Sequence, residues 1–276
     1  MADLIQQLLK AEQENFARSE KFLGSTALLV GDLDALYDRL VATVAKEEPK
    51  QSDDAYRAFL SVLHLHSVCR RQLLMGALTL FRGHQSDAVI HLRLAIDAVA
   101  SAWRIGNHHE MSTVWLSSAL SDTAYKEYRK LFHPTKLYPK KNESDYHQDL
   151  DAMYQNYAMF SKIVHSSVYA TAGRTTLTDE NGALGISLHL CDLVDGRASV
   201  TGLFMTLDNH RRAITLLGES FRKCGARVNS SWYDDCVSVY ERQERHREKW
   251  KPIVKSYIEH LDGLAAANER RRPKGI

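Results

Sequence analysis

The chain predicts an all-α fold: a single helical bundle domain over residues 1–276, of about seven to nine helices, with a small β-hairpin insertion at about 174–191. Three observations carry that prediction. Only five prolines and fourteen glycines in 276 residues leave few helix breakers. Apolar residues recur at three- and four-residue spacing through most of the chain, as one buried helix face requires. An apolar content of 44% with 25% charged residues is that of a globular protein, and the length suffices for a sizeable core.

The elements follow in order. Leu4, Ile5, Leu8, Leu9, Phe16 and Phe22 give residues 2–22 the pattern of an amphipathic helix. A second helix is expected after Gly31 and Asp32, with Leu33, Leu36, Tyr37, Leu40, Val41 and Val44 as its apolar positions and Pro49 ending the region. QSDDAYRAFL supplies an N-cap and an acidic first turn suited to the positive end of a helix dipole, so a helix should run from Asp53 to Phe81, closed by Gly83. Segment 84–106, HQSDAVIHLRLAIDAVASAWRIG, is apolar around most of its circumference, which marks a central helix, and its alanines admit close neighbours. Its polar residues Arg93, Asp97, Ser101 and Arg104 fall on one narrow stripe, where Arg93 and Asp97 can pair.

Residues 107–131 read as one or two shorter helices, and FHPTKLYPKKNES as a loop. A further helix is expected over 145–170. In GRTTLTDENGALGISLHL an Asn-Gly pair separates two β-tolerant runs, the signal for the hairpin. Residues 199–224 give a long helix. The segment from WYDDC to AAANE gives one or two more, with Pro252 placed as a first-turn residue, before a basic tail at 269–276.

Composition excludes several function classes. No run of about 18 apolar residues can cross a membrane, and the start lacks the basic and apolar regions of a secretion signal. Cys69, Cys191, Cys224 and Cys236 form no CxxC pair, which fits a reduced, cytoplasmic protein. No Glu-x-x-His pair, HExxH or Cys/His cluster occurs, so neither metal nor cofactor is expected. Acyl-hydrolase, P-loop and dinucleotide fingerprints are likewise missing.

The formal charge of +2 hides an asymmetry: thirteen Lys/Arg against eight Asp/Glu from residue 221 onward, seven against eleven in residues 1–60. Within the basic half, Arg242, Arg245, Lys249 and Trp250 combine phosphate-binding charge with an aromatic for stacking, as RNA binding would require. Glu241, Glu244 and Glu248 alternate with them, and self-compensating pairs on an exposed helix face explain the same pattern.

The other candidate is YAMFSKIVHSSVYAT, 157–171, where Tyr157, Ser161 and His165 succeed one another at one-turn spacing before Ser166 and Ser167. His165 could act as a general base, with Ser161 orienting it and Arg93 neutralising a phosphate. Equally, His165 could hold two helices together through buried hydrogen bonds. Asp97, Tyr157 and Ser167 are the accompanying ligand-binding candidates. If the two polar stripes face each other, they form a structural network or the floor of a pocket.

LRLAIDAVASAW (92–103) and YAMFSKIVHSSVYA (157–170) resemble two marker segments of a bacterial all-helical family of unknown function. Its central helix reads roughly L-R-x-x-x-[DE], and a later one roughly Y-x-x-x-S-x-x-V-H-x-S. The matching positions are Arg93, Asp97, Tyr157, Ser161, His165 and Ser167. The resemblance implies an architecture similar to HEPN domains, helical bundles of bacterial toxin and antiviral systems that can cut RNA with an R-x(4-6)-H motif. This chain departs from that motif: the positions able to supply the arginine for His165 are Ala158, Met159 and Phe160. Arg57 with His64 and Arg104 with His109 fit the spacing, but no more often than chance provides. The expectation is therefore a non-catalytic helical binding or regulatory protein of a bacterial defence or toxin–antitoxin-like system. Its target would be a protein partner or a second copy, with no membrane involved. An HEPN-like enzyme acting on RNA or a nucleotide through His165 is the alternative.

Overall fold

The computed structural model describes residues 2–44, 52–164, 175–180, 183–188 and 196–271. Helix α1 (Ala2–Leu23), a 3-10 turn (Gly24–Thr26), α2 (Leu28–Val44) and α3 (Asp53–Phe81) open the chain. There follow α4 (Gln85–Asn107), α5 (Met111–Ser117), α6 (Asp122–Leu131), α7 (Pro134–Leu137) and α8 (Gln148–Val164). Strands β1 (Thr175–Glu180) and β2 (Ala183–Leu188) pair antiparallel, with Thr175 opposite Leu188 and Glu180 opposite Ala183; Asn181 and Gly182 lie outside the described residues. Helices α9 (Gly196–Lys223) and α10 (Ser230–Arg271) complete a helical bundle. Among the described residues no helix is long and apolar enough to cross a membrane.

Helix α4 is central. Its Ala95, Ile96, Val99, Ala100, Ala102 and Ile105 are wholly buried, and it packs against α3, α8 and α9. The small residues set the spacing: a Cβ on Gly106 would lie 3.1 Å from the Ser220 Cα, so α4 and α9 touch backbone to backbone there. Local signals fix α3 at both ends. The Ser52 hydroxyl accepts the Ala55 N–H, Asp53 and Asp54 occupy the first turn, and Gly83 leaves the helix at φ 86°.

Three expectations need correction. Helix α2 begins at Leu28, three residues before Gly31, because burial of Leu29 and Val30 outweighs the roughly 1 kcal/mol cost of a helical glycine. Within the expected loop, residues 134–137 form the short turn α7. Finally, Pro252 starts no new helix but sits inside α10.

An internal proline forfeits one backbone hydrogen bond and crowds the preceding turn. Packing on both sides offsets this. The Trp250 indole N–H donates to the Thr26 hydroxyl at 2.8 Å, and Ile253 and Val254 pack against the core. Thr26 is wholly buried, and its hydroxyl also lies within hydrogen-bond distance of His246 Nδ1, at 2.8 Å.

Two histidines complete the interior. His66 and His210 flank the Tyr37 ring at 5.2 and 6.0 Å between centroids. Burial pushes both imidazoles down to about 4, so both are neutral at neutral pH. The backbone contact at Gly106 yields a test of the packing. Gly106→Ala should destabilise the protein by about 1–3 kcal/mol, read as a lower urea midpoint at unchanged slope, because the α9 backbone cannot yield as a side chain can.

Candidate functional site

Helix α4 gathers its polar residues on one side, and three neighbouring segments meet them. Ser101 is buried at the middle of the stripe. Beyond it, the Arg104 guanidinium donates to the Lys136 carbonyl at 3.1 Å, and the adjacent Trp103 indole donates to the Asp145 carbonyl at 2.7 Å. These bonds fasten the segment after α6 across α4. Tyr138 is thereby carried into the core, 8% exposed, beside the stripe.

Helix α8 meets the other end. The Arg93 guanidinium donates to the Tyr157 hydroxyl at 3.1 Å and stands 5.0 Å from the centre of that ring. Tyr157, Tyr154 and Tyr138 then form an aromatic wall: Tyr138 stacks on Tyr154 at 4.5 Å and lies 5.8 Å from Tyr157. The Tyr138 hydroxyl is buried without a hydrogen-bond partner among the described residues. Burial, with the Asp97 charge adding to it, raises the Tyr138 phenol well above its ordinary value; burial likewise raises Tyr128.

Asp97 is the electrostatic centre of this group. Desolvation pushes its carboxyl up to about 6, and the opposing attraction of Arg93 does not cancel the shift. The site therefore combines a positioned guanidinium, a carboxyl that exchanges its proton near neutrality, and a tyrosine wall. Such a group can grip a ligand or a partner side chain.

The candidate residues are thus only partly assembled. Arg93, Asp97 and Tyr157 come together. Ser161 lies one turn further along α8, half-buried, and its hydroxyl donates to the Tyr157 carbonyl at 2.9 Å, so its proton is spent within its own helix. His165 and Ser167 lie outside the described residues. Tyr138 was missed because FHPTKLYPKKNES reads as a loop; the adjacent apolar pair Leu137 and Tyr138 was the available signal.

The basic helix departs from a nucleic-acid surface in two respects. Trp250 is 8% exposed and hydrogen-bonded to Thr26, so its ring is not open to a base. Arg242 is 3.0 Å from Asp32, Arg247 pairs with Asp208, and Lys251 with Glu248 at 3.2 Å. Arg245 and Lys249 are exposed, Lys249 standing 5.5 Å from the Trp250 ring. Among the described residues no cluster of three or more His, Cys, Asp or Glu could hold a metal ion.

Comparisons with protein-family models, with curated proteins and with solved structures give no match. The raised Asp97 carboxyl gives a signed prediction. A carboxyl whose folded value lies above its unfolded one favours folding below the unfolded value and loses that contribution as pH rises through about 6. Asp97→Asn should accordingly melt higher than the parent at pH 8, with the difference closing toward pH 4. A thermal melt series across that range checks it.

Proposed function

We propose that this chain is a non-catalytic helical binding or regulatory protein, and that the α4–α8 face bearing Arg93, Asp97 and Tyr157 receives its protein partner. The observation that carries this reading is the arrest of Arg93 on Tyr157, by a hydrogen bond at 3.1 Å and by the ring beneath its guanidinium. A cation held in this way is organised for recognition, and Arg and Tyr are both among the residue types enriched at the energetic centres of protein interfaces. Two large apolar side chains on the same face of α4 support it further: Ile90 is 41% and Leu94 45% exposed, one turn apart beside Arg93. Ser161 supports a binding role over a catalytic one, since its hydroxyl proton is committed to a backbone carbonyl.

The motif resemblance supports placing the protein in a bacterial defence or toxin–antitoxin-like system in the cytoplasm. The alternative is an HEPN-like ribonuclease or nucleotide-acting enzyme, favoured by a carboxyl titrating near 6 beside an arginine. One experiment separates them. The full-length chain and its His165→Ala variant are incubated with a single-stranded RNA oligonucleotide, ATP and GTP, and both are melted. The binding reading predicts no turnover by the parent above that of the variant. Turnover lost in the variant at an unchanged Tm would replace the binding reading with the enzymatic one.

A further inference from the structure

Helix α8 starts on a histidine. The His147 carbonyl accepts the Asp151 N–H at 3.0 Å, the first bond of the helix, and its imidazole Nδ1 accepts the Asp149 N–H at 3.1 Å. His147 is therefore the N-cap, a position that Ser, Thr, Asp and Asn usually fill with a side-chain oxygen. A ring nitrogen in that place behaves differently from an oxygen. A backbone N–H only donates, so Nδ1 carries a lone pair and the proton of the neutral ring is on Nε2. The next proton can enter only at Nδ1, the atom that holds the helix.

Nε2 faces an acceptor. Glu219 of α9 places Oε1 3.6 Å from it, and among the described residues that carboxylate has no other ion-pair partner. The other charges around the ring come from three elements. Asp149 pairs with Arg212 of α9, Asp145 lies 3.6 Å from His108 Nε2, and Asp151 stands in the first turn of α8. From α4 comes the uncharged Trp103 ring, in T-shaped contact at 5.1 Å, with the Lys223 ammonium of α9 over that ring at 4.6 Å. An imidazolium formed here meets opposite charge, above all at Glu219. The His147 side chain is 23% exposed, so solvent protons reach it.

We propose that His147 is a proton-operated cap. At pH 8 the neutral ring holds the first turn of α8 through Nδ1. At pH 5 a proton on Nδ1 displaces the Asp149 N–H, and the imidazolium turns its Nε2–H onto Glu219, exchanging a bond within α8 for a bond to α9. Histidine is the side chain type whose charge changes within that interval. The device joins pH to both sides of the aromatic wall, because the segment it ends carries Tyr138 and the helix it starts carries Tyr154 and Tyr157. It rests on the fold and not on the binding role assigned to that wall, so either can fail without the other.

The test is NMR of the full chain between pH 8 and pH 5. It follows the His147 ring nitrogens and the exchange of the Asp149 amide, corrected for the intrinsic pH dependence of exchange. At pH 8 the ring should be the Nε2–H tautomer and the amide protected. Protection should fall by about fivefold along the His147 titration, the value of a typical cap. His147→Asn, whose amide oxygen accepts a hydrogen bond at either pH, should keep the protection throughout. Glu219→Gln, which leaves the cap in place but removes the charge that receives the imidazolium, should move the midpoint of the fall to lower pH. An Nδ1–H tautomer at pH 8, protection that is constant through the His147 titration, an equal fall in His147→Asn, or an unmoved midpoint in Glu219→Gln would each overturn the proposal.

Discussion

The structure depends on the burial of α4. A helix that is apolar around most of its circumference cannot rest against one neighbour; it must be enclosed. Ala95, Ala100 and Ala102 lie fully inside the bundle, and Gly106 lets the α9 backbone come within contact. Dispersion and solvent release at such close approach favour one arrangement of α3, α8 and α9, because even a methyl group has no space to enter. What α4 cannot bury without partners is thereby forced onto its remaining side. The polar stripe and the candidate site are consequences of the same enclosure.

Each polar group on that side is answered by a different segment. Arg104 takes a carbonyl after α6, Trp103 a carbonyl before α8, and Arg93 a tyrosine of α8. A hydrogen bond to a charged group contributes about 1.5–3 kcal/mol, and an unanswered buried charge costs more than that, so these bonds fix the chain path over 132–157. Asp97 is the exception. Its desolvation exceeds the attraction of Arg93, so its charged form is disfavoured where a neutral carboxyl is comfortable. Residues whose protonation is set this way gather at functional positions, which is why we propose the α4–α8 face rather than the basic helix as the binding surface.

Much of the fold was legible because its signals are local. The Ser52 cap, the acidic first turn and Gly83 delimit α3 within one stretch of sequence, and the all-round apolarity of α4 announces its central place. The site was half legible: the stripe on α4 and Tyr157 on α8 could be read by counting turns. What could not be read depends on distant partners. Trp250 sits among alternating charges that suggest exposure, but Thr26, 224 residues away, takes its indole proton and holds it inside. Pro252 suggests a new helix, yet buried contacts on either side carry α10 through it. Tyr138 owes its burial to the anchoring of its segment by Arg104.

Arg93 on α4 and Tyr157 on α8 join the polar residues of the two helices into one face. The most direct measurement is a double-mutant cycle on stability, with Arg93→Met, Tyr157→Leu and the double variant, by urea denaturation at neutral pH. The predicted coupling is favourable and about 1 kcal/mol, the sum expected of a partly buried cation–π contact and its hydrogen bond. A coupling within roughly 0.3 kcal/mol of zero, the value for independent sites, would contradict it.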